Sequence, residues 1–242
     1  MKYLHLSLSK IGLKRLDNED AVGVFEIDGG ILAILCDGLG GNKAGEVASQ
    51  LTIDTVRNVF SDMNDADILA KIKSAIIESN KTIINNSKSD FDLKGMATTA
   101  EVLFLKEDNA YWGHIGDSRI YQLKNKNLKQ LTKDHSLVQK LVDEGYLTMK
   151  EAENHPNKNI IMRALGDSEV VEVDLSKQKI NPGDNIKFFI CTDGVTAVLN
   201  DNEIQNILLE NNLDVISSTL ASLIEERGAP DNFSYIIISE AS

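Results

Sequence analysis

Apolar residues alternate with polar ones, or run unbroken, over residues 3–9, 21–27 and 31–36, and each stretch reads as a β-strand. Asp28-Gly29-Gly30 supplies a turn between the last two, which predicts a hairpin. The pattern then changes to a helical period. Val47, Ala48, Leu51, Thr55 and Val59 share one face of a first helix, and Ile68, Leu69, Ile72, Ile76 and Ile83 share one face of a second. Both are one-sided and are expected to lie against a sheet. Strand signals resume over 98–105, 110–115 and 119–123, separated by the turn-like segments KEDN and GDS, and predict an antiparallel meander.

From 131 to 166 the pattern becomes short and polar. It predicts a helix over 136–144 and another over 148–153, the second opened by a Thr148/Glu151 capping box, as in a surface subdomain or flap. Strands are expected at 170–173 and 186–191, helices over 201–210 and 214–226, and a strand over 233–239. Strands interleaved with pairs of helices favour an α+β layered sandwich over regular βαβ alternation. No repeat, low-complexity stretch or linker divides residues 1–242, which are read as one domain.

A chain of 242 residues, 42% hydrophobic and 26% charged, has material for a substantial core. The net charge of −12 argues against nucleic acid or an anionic membrane as a partner, because both select clustered Lys and Arg. No apolar stretch approaches the roughly 20 residues that span a bilayer, and the first ten residues alternate like a strand instead of forming a signal-peptide core. Cys36 and Cys191 both sit inside apolar runs and read as small buried residues, which fits a reducing cytoplasm. The expectation is a soluble, cytoplasmic monomer.

Three aspartates change the picture. Asp37-Gly38 follows the apolar run 31–36 and opens a glycine-rich stretch; Asp193-Gly194 follows the run 186–192; Asp231 stands just ahead of the strand at 233–239. Carboxylates held at strand ends suit hard divalent cations, Mg or Mn, which take oxygen ligands.

These aspartates belong to an ordered set of motifs. RLDNED at 15–20, DGLGG at 37–41, GDSR at 116–119 and CTDG at 191–194, completed by Asp231-Asn232, resemble the metal-dependent Ser/Thr protein phosphatases of the PP2C type. GMATTA at 95–100, LTKDHSLVQKLVDEG at 131–145 and Arg163-Ala164-Leu165-Gly166 are similar to the bacterial branch. The resemblance implies a four-layer α-β-β-α sandwich, two antiparallel sheets flanked by helices, with two metals in a cleft at one end. On that reading Asp37 bridges two Mn or Mg ions, the Gly38 carbonyl binds one, and Asp193 and Asp231 complete the other. Glu19 and Asp20 match the family's acidic pair, Asp117 the ligand of a third, more weakly held ion, and Arg15 the arginine that binds the substrate phosphate. A metal-bridging water is expected to attack phosphorus in phosphoserine or phosphothreonine. Phosphorylated proteins are the implied partners, among them a bacterial Ser/Thr kinase that the enzyme opposes.

The chemistry fits those roles, since two metals sharing a carboxylate neutralise a phosphate dianion and activate water, and a guanidinium meets two phosphate oxygens at once. Plainer readings stand beside them. Asp-Gly pairs are ordinary turn formers, Arg15 has Asp17 and Glu19 nearby to pair with, and a hairpin between Ile115 and Ile120 would choose the composition of Gly116-Asp117-Ser118 anyway. Arg119 and His135 read as structural, His5 and His114 as packing or surface residues within strand patterns, and His155 as a loop residue ahead of Pro156. Leu39 stands where the eukaryotic enzymes often carry a histidine, which leaves the proton donor open, metal-bound water being preferred. A haloacid-dehalogenase nucleophile and a P-loop are both excluded by the residues around Asp37 and Lys43. Two competitors keep the same fold: a non-catalytic signalling module, and a phosphatase dedicated to one regulatory protein or small phosphoester.

Overall fold

The computed structural model describes residues 3–40, 44–61, 67–181 and 183–241, so Gly41, Asn42 and Lys43 of the glycine-rich stretch lie outside the described residues. In chain order the elements are β1 (Tyr3–Lys10), β2 (Ala21–Ile27), β3 (Gly30–Cys36), β4 (Gly38–Leu39), α1 (Ala44–Ser61), α2 (Ile68–Ser89), β5 (Ala97–Thr98), β6 (Ala100–Lys106) and β7 (Asn109–Ile115). There follow β8 (Arg119–Lys124), β9 (Asn127–Gln130), α3 (Leu137–Asp143), α4 (Met149–Glu153), β10 (Asp174–Lys179), β11 (Lys187–Cys191), α5 (Asp193–Thr196), α6 (Asp201–Leu208), α7 (Leu213–Glu226) and β12 (Phe233–Glu240).

Ten strands form two five-stranded antiparallel sheets, ordered β1-β12-β11-β8-β9 and β10-β7-β6-β3-β2. Strand β3 shows why the sandwich forms. Its side chains alternate between two apolar environments: Leu32, Ile34 and Cys36 pack toward α1 and α2, while Ile31, Ala33 and Leu35 meet Phe188, Ile190, Ile236 and Ile238 of the other sheet. Burial on both faces is the reason the sequence runs apolar without a break. The second sheet repeats the arrangement, with Phe189, Cys191, Tyr235 and Ile237 packing against Ile204 and Leu208 of α6 and Ile216, Leu220 and Ile224 of α7. The layers are thus helix, sheet, sheet, helix.

Three local expectations need correction. The predicted meander is cut: β7 pairs with β6 and β10, whereas β8 pairs with β11 and β9 in the opposite sheet. Gly116-Asp117-Ser118 is therefore a crossing between sheets, not a hairpin turn. The strand expected at 170–173 is absent, and the strand lies at Asp174–Lys179, an edge position whose outer face is polar because it meets water. Helix α1 turns a different stripe inward from the one predicted, burying Ala48, Ser49, Thr52, Ile53, Val56 and Phe60 and leaving Val47, Leu51 and Val59 at the margin. Hydroxyls disguised that stripe. Thr52 Oγ1 donates to Ala48 O at 2.9 Å and Ser49 Oγ to Glu19 O at 2.7 Å, so both side chains are buried without an unmet polar group.

The segment 131–166 carries α3 and α4, and the Thr148/Glu151 capping box is formed. It is fastened at its roots by Met162 N–H donating to His135 O at 2.7 Å and by reciprocal bonds between Thr98 and Leu165 at 3.0 and 2.8 Å. Among the described residues no helix is long and apolar enough to cross a membrane.

Candidate metal and phosphate site

Strand register brings the acidic residues to one end of the sandwich. Ala21 pairs with Cys36, so Asp20 and Asp37 flank the same end of the β2–β3 hairpin. Arg119 and Tyr235 both pair with Cys191, which sets Asp117 just ahead of β8, Asp193 just beyond β11 and Asp231 just ahead of β12. The two groups meet: Thr192 Oγ1 donates to Asp20 Oδ2 at 3.1 Å across the sheets, and the charge of Asp193 bears on the Asp37 carboxyl.

The backbone at Asp37 is fixed on both sides. Asp37 N–H donates to Thr99 Oγ1 at 2.9 Å, and Asp37 O accepts from Thr98 Oγ1 and Thr99 N–H, each at 2.9 Å. Next to it, Gly38 N–H donates to Glu19 O at 3.1 Å. A Cβ at Gly38 would lie 2.3 Å from Gly45 O and 2.4 Å from Glu19 O, so only glycine permits this approach of three backbone segments. Asn232 anchors the loop that carries Arg15: its Nδ2 donates to Ile11 O and Asp17 O, both at 2.9 Å, and its Oδ1 accepts from Glu19 N–H at 3.0 Å.

The electrostatics are those of concentrated negative charge. Burial pushes Asp37 well above the usual carboxylate range, and the charges of Asp20, Asp193, Asp117 and Asp231 add to the rise. Burial likewise moves Asp20 and Asp117 up to about 7, and it raises Asp193, with Asp231 contributing. Arg15 Nη2 donates to Asp231 Oδ2 at 2.7 Å, which raises the arginine's own pKa; the guanidinium is otherwise half exposed. Arg119 is committed elsewhere, its fork gripping Asp134 at 2.7–3.1 Å and Tyr121 OH at 3.0 Å, as its structural reading requires.

Two buried oxygens in the cluster, Asp117 Oδ1 and Glu19 Oε1, have no hydrogen-bond partner. Orphaned carboxylate oxygens are costly unless a cation meets them, and an all-oxygen donor set suits Mg or Mn. The residues present thus fit a divalent ion, although among the described residues no three His, Cys, Asp or Glu side chains stand together as a ready-made cage. A cleft of about 370 Å³ between Trp112, Leu131, Lys133 and Asp174 lies apart from this cluster.

The sequence profile of the family described as Protein phosphatase 2C matches residues 14–229. The chain belongs to that family. As a PP2C protein it is 37% identical over 238 residues to a putative protein phosphatase 2C-type of Streptococcus pyogenes, covering 96% of this chain and 95% of that one. It is 38% identical over 226 residues to the serine/threonine protein phosphatase PstP of Mycobacterium tuberculosis, of which it spans 43% of the length. A crystal structure of that phosphatase superposes with a TM-score of 0.92 at 35% identity, covering 99% of both chains. A PstP catalytic domain solved with two manganese ions gives a TM-score of 0.88 at 34% identity, covering 98% of this chain and 97% of that one. The fold of two antiparallel sheets flanked by helices is therefore the PP2C fold; Arg15, Glu19, Asp20, Asp37, Asp117 and Asp193 lie within the residues the family profile matches, and Asp231 stands just beyond them.

Of the residues singled out in the sequence, Asp20, Asp37, Asp117, Asp193 and Asp231 share one electrostatic cluster, and Arg15 and Glu19 border it. Sequence reasoning quoted Asn232, Thr98, Thr99 and Thr192 within motifs but gave them no role; Thr98, Thr99 and Asn232 hold main chain beside the carboxylates, and Thr192 bonds the Asp20 carboxylate itself. GMATTA was noticed only as a likeness; two adjacent threonines between a turn and a strand were the available signal.

Proposed function

We propose that this chain is a Mn- or Mg-dependent phosphatase that removes phosphate from phosphoserine and phosphothreonine in proteins. The observation that carries the reading is the gathering, from both sheets, of Asp20, Asp37, Asp117, Asp193 and Asp231 around buried oxygens that lack partners. Family membership and the manganese-bound PstP domain support it.

In this reading Asp37 and the Gly38 carbonyl, with Asp193 and Asp231, hold two divalent ions; Glu19 and Asp20 support them, and Asp117 serves a third, weaker position. Bound ions supply positive charge to offset the phosphate and render water nucleophilic near neutral pH. The chain's own groups do the rest. Arg15 is attached to Asp231 through Nη2 alone, so its remaining N–H donors face solvent, where a phosphate monoester can be gripped by two oxygens. Thr98 and Thr99 fix the main chain from which the Asp37 carboxylate projects, and Asn232 keeps Arg15 and Glu19 over the same end of the sheets. Leu39 offers no proton to the leaving alkoxide, so that proton must come from another group, water held by the ions being the preferred donor.

Residues 131–166 are read as a flap beside this end, with Lys140, Lys150 and Lys158 exposed on it for docking of phosphoproteins. A Ser/Thr kinase is among the partners this implies, and a cytoplasmic monomer is the form it takes. The test is hydrolysis of a phosphothreonine peptide by metal-stripped protein with Mn2+ or Mg2+ restored, beside Asp193→Ala. Turnover that needs metal and is lost in the variant supports the proposal; folded, metal-loaded protein without turnover overturns it.

A further inference from the structure

Behind Asp117 lies a buried string of titratable side chains that phosphate hydrolysis does not use. Glu101 on β6 and His114 on β7 face each other in register, both fully buried. His114 Nδ1 lies 2.6 Å from Glu101 Oε1, and His114 Nε2 lies 2.8 Å from Lys133 O. A main-chain carbonyl only accepts, so Nε2 donates to Lys133 O, and His114 Nδ1 and Glu101 Oε1 share a proton between them. Burial pulls the His114 pKa down, but contact with Glu101 outweighs it and holds the value up at about 9.

His135 stacks on that ring, the centroids 4.4 Å apart. Its Nδ1 accepts from Gly116 N–H at 3.1 Å and therefore carries no proton. Its Nε2 faces Asp174 Oδ2 and Arg163 Nη1, each at 3.3 Å; arginine only donates, so the Nε2 proton is directed to Asp174. His135 is thus neutral, in keeping with burial and the charge of His114, which draw its pKa down to about 4. Its own N–H donates to Gly116 O at 2.7 Å. Both main-chain polar groups of Gly116 end on one residue.

Gly116 has φ +120°, and a Cβ there would lie 2.5 Å from the Thr99 side chain, so the crossing has one available path. On its far side Ser118 Oγ and Thr99 Oγ1 are hydrogen-bonded at 3.0 Å. Between these ties stands Asp117, with its orphaned Oδ1.

We propose that Glu101, His114 and His135 form a positioning network which, through Gly116, sets the direction of the Asp117 carboxylate. Glu101 holds His114, the stacked rings hold His135, and His135 grips the peptide groups on both sides of the Gly116 α-carbon. The inference rests on the reading of Asp117 as the ligand of the weakest ion, and it makes these three residues positioning residues, not catalytic ones.

The experiment compares wild type with His135→Phe, which keeps a stacking ring but has no acceptor for Gly116 N–H, and with His135→Asn, whose Oδ1 restores an acceptor near Nδ1. In metal-free protein, hydrogen exchange at the Gly116 amide is expected to quicken about tenfold in His135→Phe and to return toward wild type in His135→Asn. In the same proteins, Mn2+ titration followed by the paramagnetic resonance of free ion is expected to show the weakest site loosened severalfold in His135→Phe, the tighter sites unchanged, and kcat reduced more than KM. A folded His135→Phe protein with unaltered exchange, or with faster exchange but an unaltered weakest site, overturns the network's hold on Asp117. Wild-type protein that binds no Mn2+ overturns the metal-dependent reading and with it the role given to Asp117, while the exchange comparison separately decides whether His135 holds Gly116.

Discussion

Asn232→Ala is the sharpest single test of how the site is assembled. The substitution removes three hydrogen bonds at once, to Ile11 O and Asp17 O at 2.9 Å and from Glu19 N–H at 3.0 Å. Each such bond contributes about 1 kcal/mol net, and more if a partner is left dry. Ile11 and Asp17 lie in an exposed loop and recover water, whereas Glu19 is half-buried, which places the total loss at about 2–3 kcal/mol. For a chain of this size that lowers Tm by about 5–10 °C. The loop also carries Arg15, and misplacing a phosphate-binding group by about 1 Å costs up to about 100-fold in rate. Thermal unfolding and kcat/KM on a phosphothreonine peptide, measured at a temperature where the variant is folded, check both parts. Asn232→Asp separates the donors from the acceptor. It keeps the bond from Glu19 N–H but points negative charge at two carbonyls beside Asp231, and it is expected to be at least as damaging as alanine. A variant with Tm within about 1 °C of wild type and intact kcat/KM would refute the anchoring argument; a lowered Tm with intact kcat/KM would confine Asn232 to stability.

Three further outcomes follow from the geometry. Burial raises Asp20, Asp117 and Glu101 to about 7, so the native state binds more protons than the unfolded chain and metal-free protein loses stability as pH rises through about 7. His114, held up at about 9, extends that loss above 7, while His135, lowered to about 4, opposes it only below its ordinary 6.5; Tm of chelated protein should therefore fall between about pH 6.5 and 8, Mn2+ should flatten the slope, and a rising Tm would contradict it. Thr99→Val removes the acceptor for Asp37 N–H and the Ser118 contact, so kcat/KM should drop about tenfold or more, with Thr99→Ser close to wild type. Phe60 is fully buried and meets Phe104 edge-on at 5.2 Å, so Phe60→Ala should cost about 3–5 kcal/mol in urea unfolding without changing the metal dependence of turnover.

Much of the site was legible because its carboxylates sit at strand mouths, and strands buried on both faces announce themselves as unbroken apolar runs, as 31–36 and 186–191 do. What supports the carboxylates was not legible. Asn232 reads as one more turn residue beside an aspartate, and its three partners lie 213 to 221 residues away in sequence. Thr98 and Thr99 carry β-propensity that hides the use of their hydroxyls. Apolar period says that 110–115 and 119–123 are strands but not which sheet each joins, so the Gly116-Asp117-Ser118 crossing resembled a hairpin. Strand β10 was displaced by four residues in the reading because Val170, Val171 and Val173 outweighed the polar outer face of an edge strand; Val171, Val173 and Leu175 all pack against the helical layer.

Strand β1 has β12 as its one partner in the sheet, pairing Tyr3 with Glu240 and Lys10 with Phe233. A chain leaving the ribosome therefore displays residues 3–10 long before 233–240 exist to receive them. Until then β11 is also an edge, and its sequence KFFIC is a poor one to leave open to neighbouring polysomes. The acidic cluster matures on the same schedule, because Asp231 and Asn232 arrive together with β12. A nascent or truncated product that stops short of these residues would lack two members of the polar end of the sandwich, however much of the β2–β3 half had already folded.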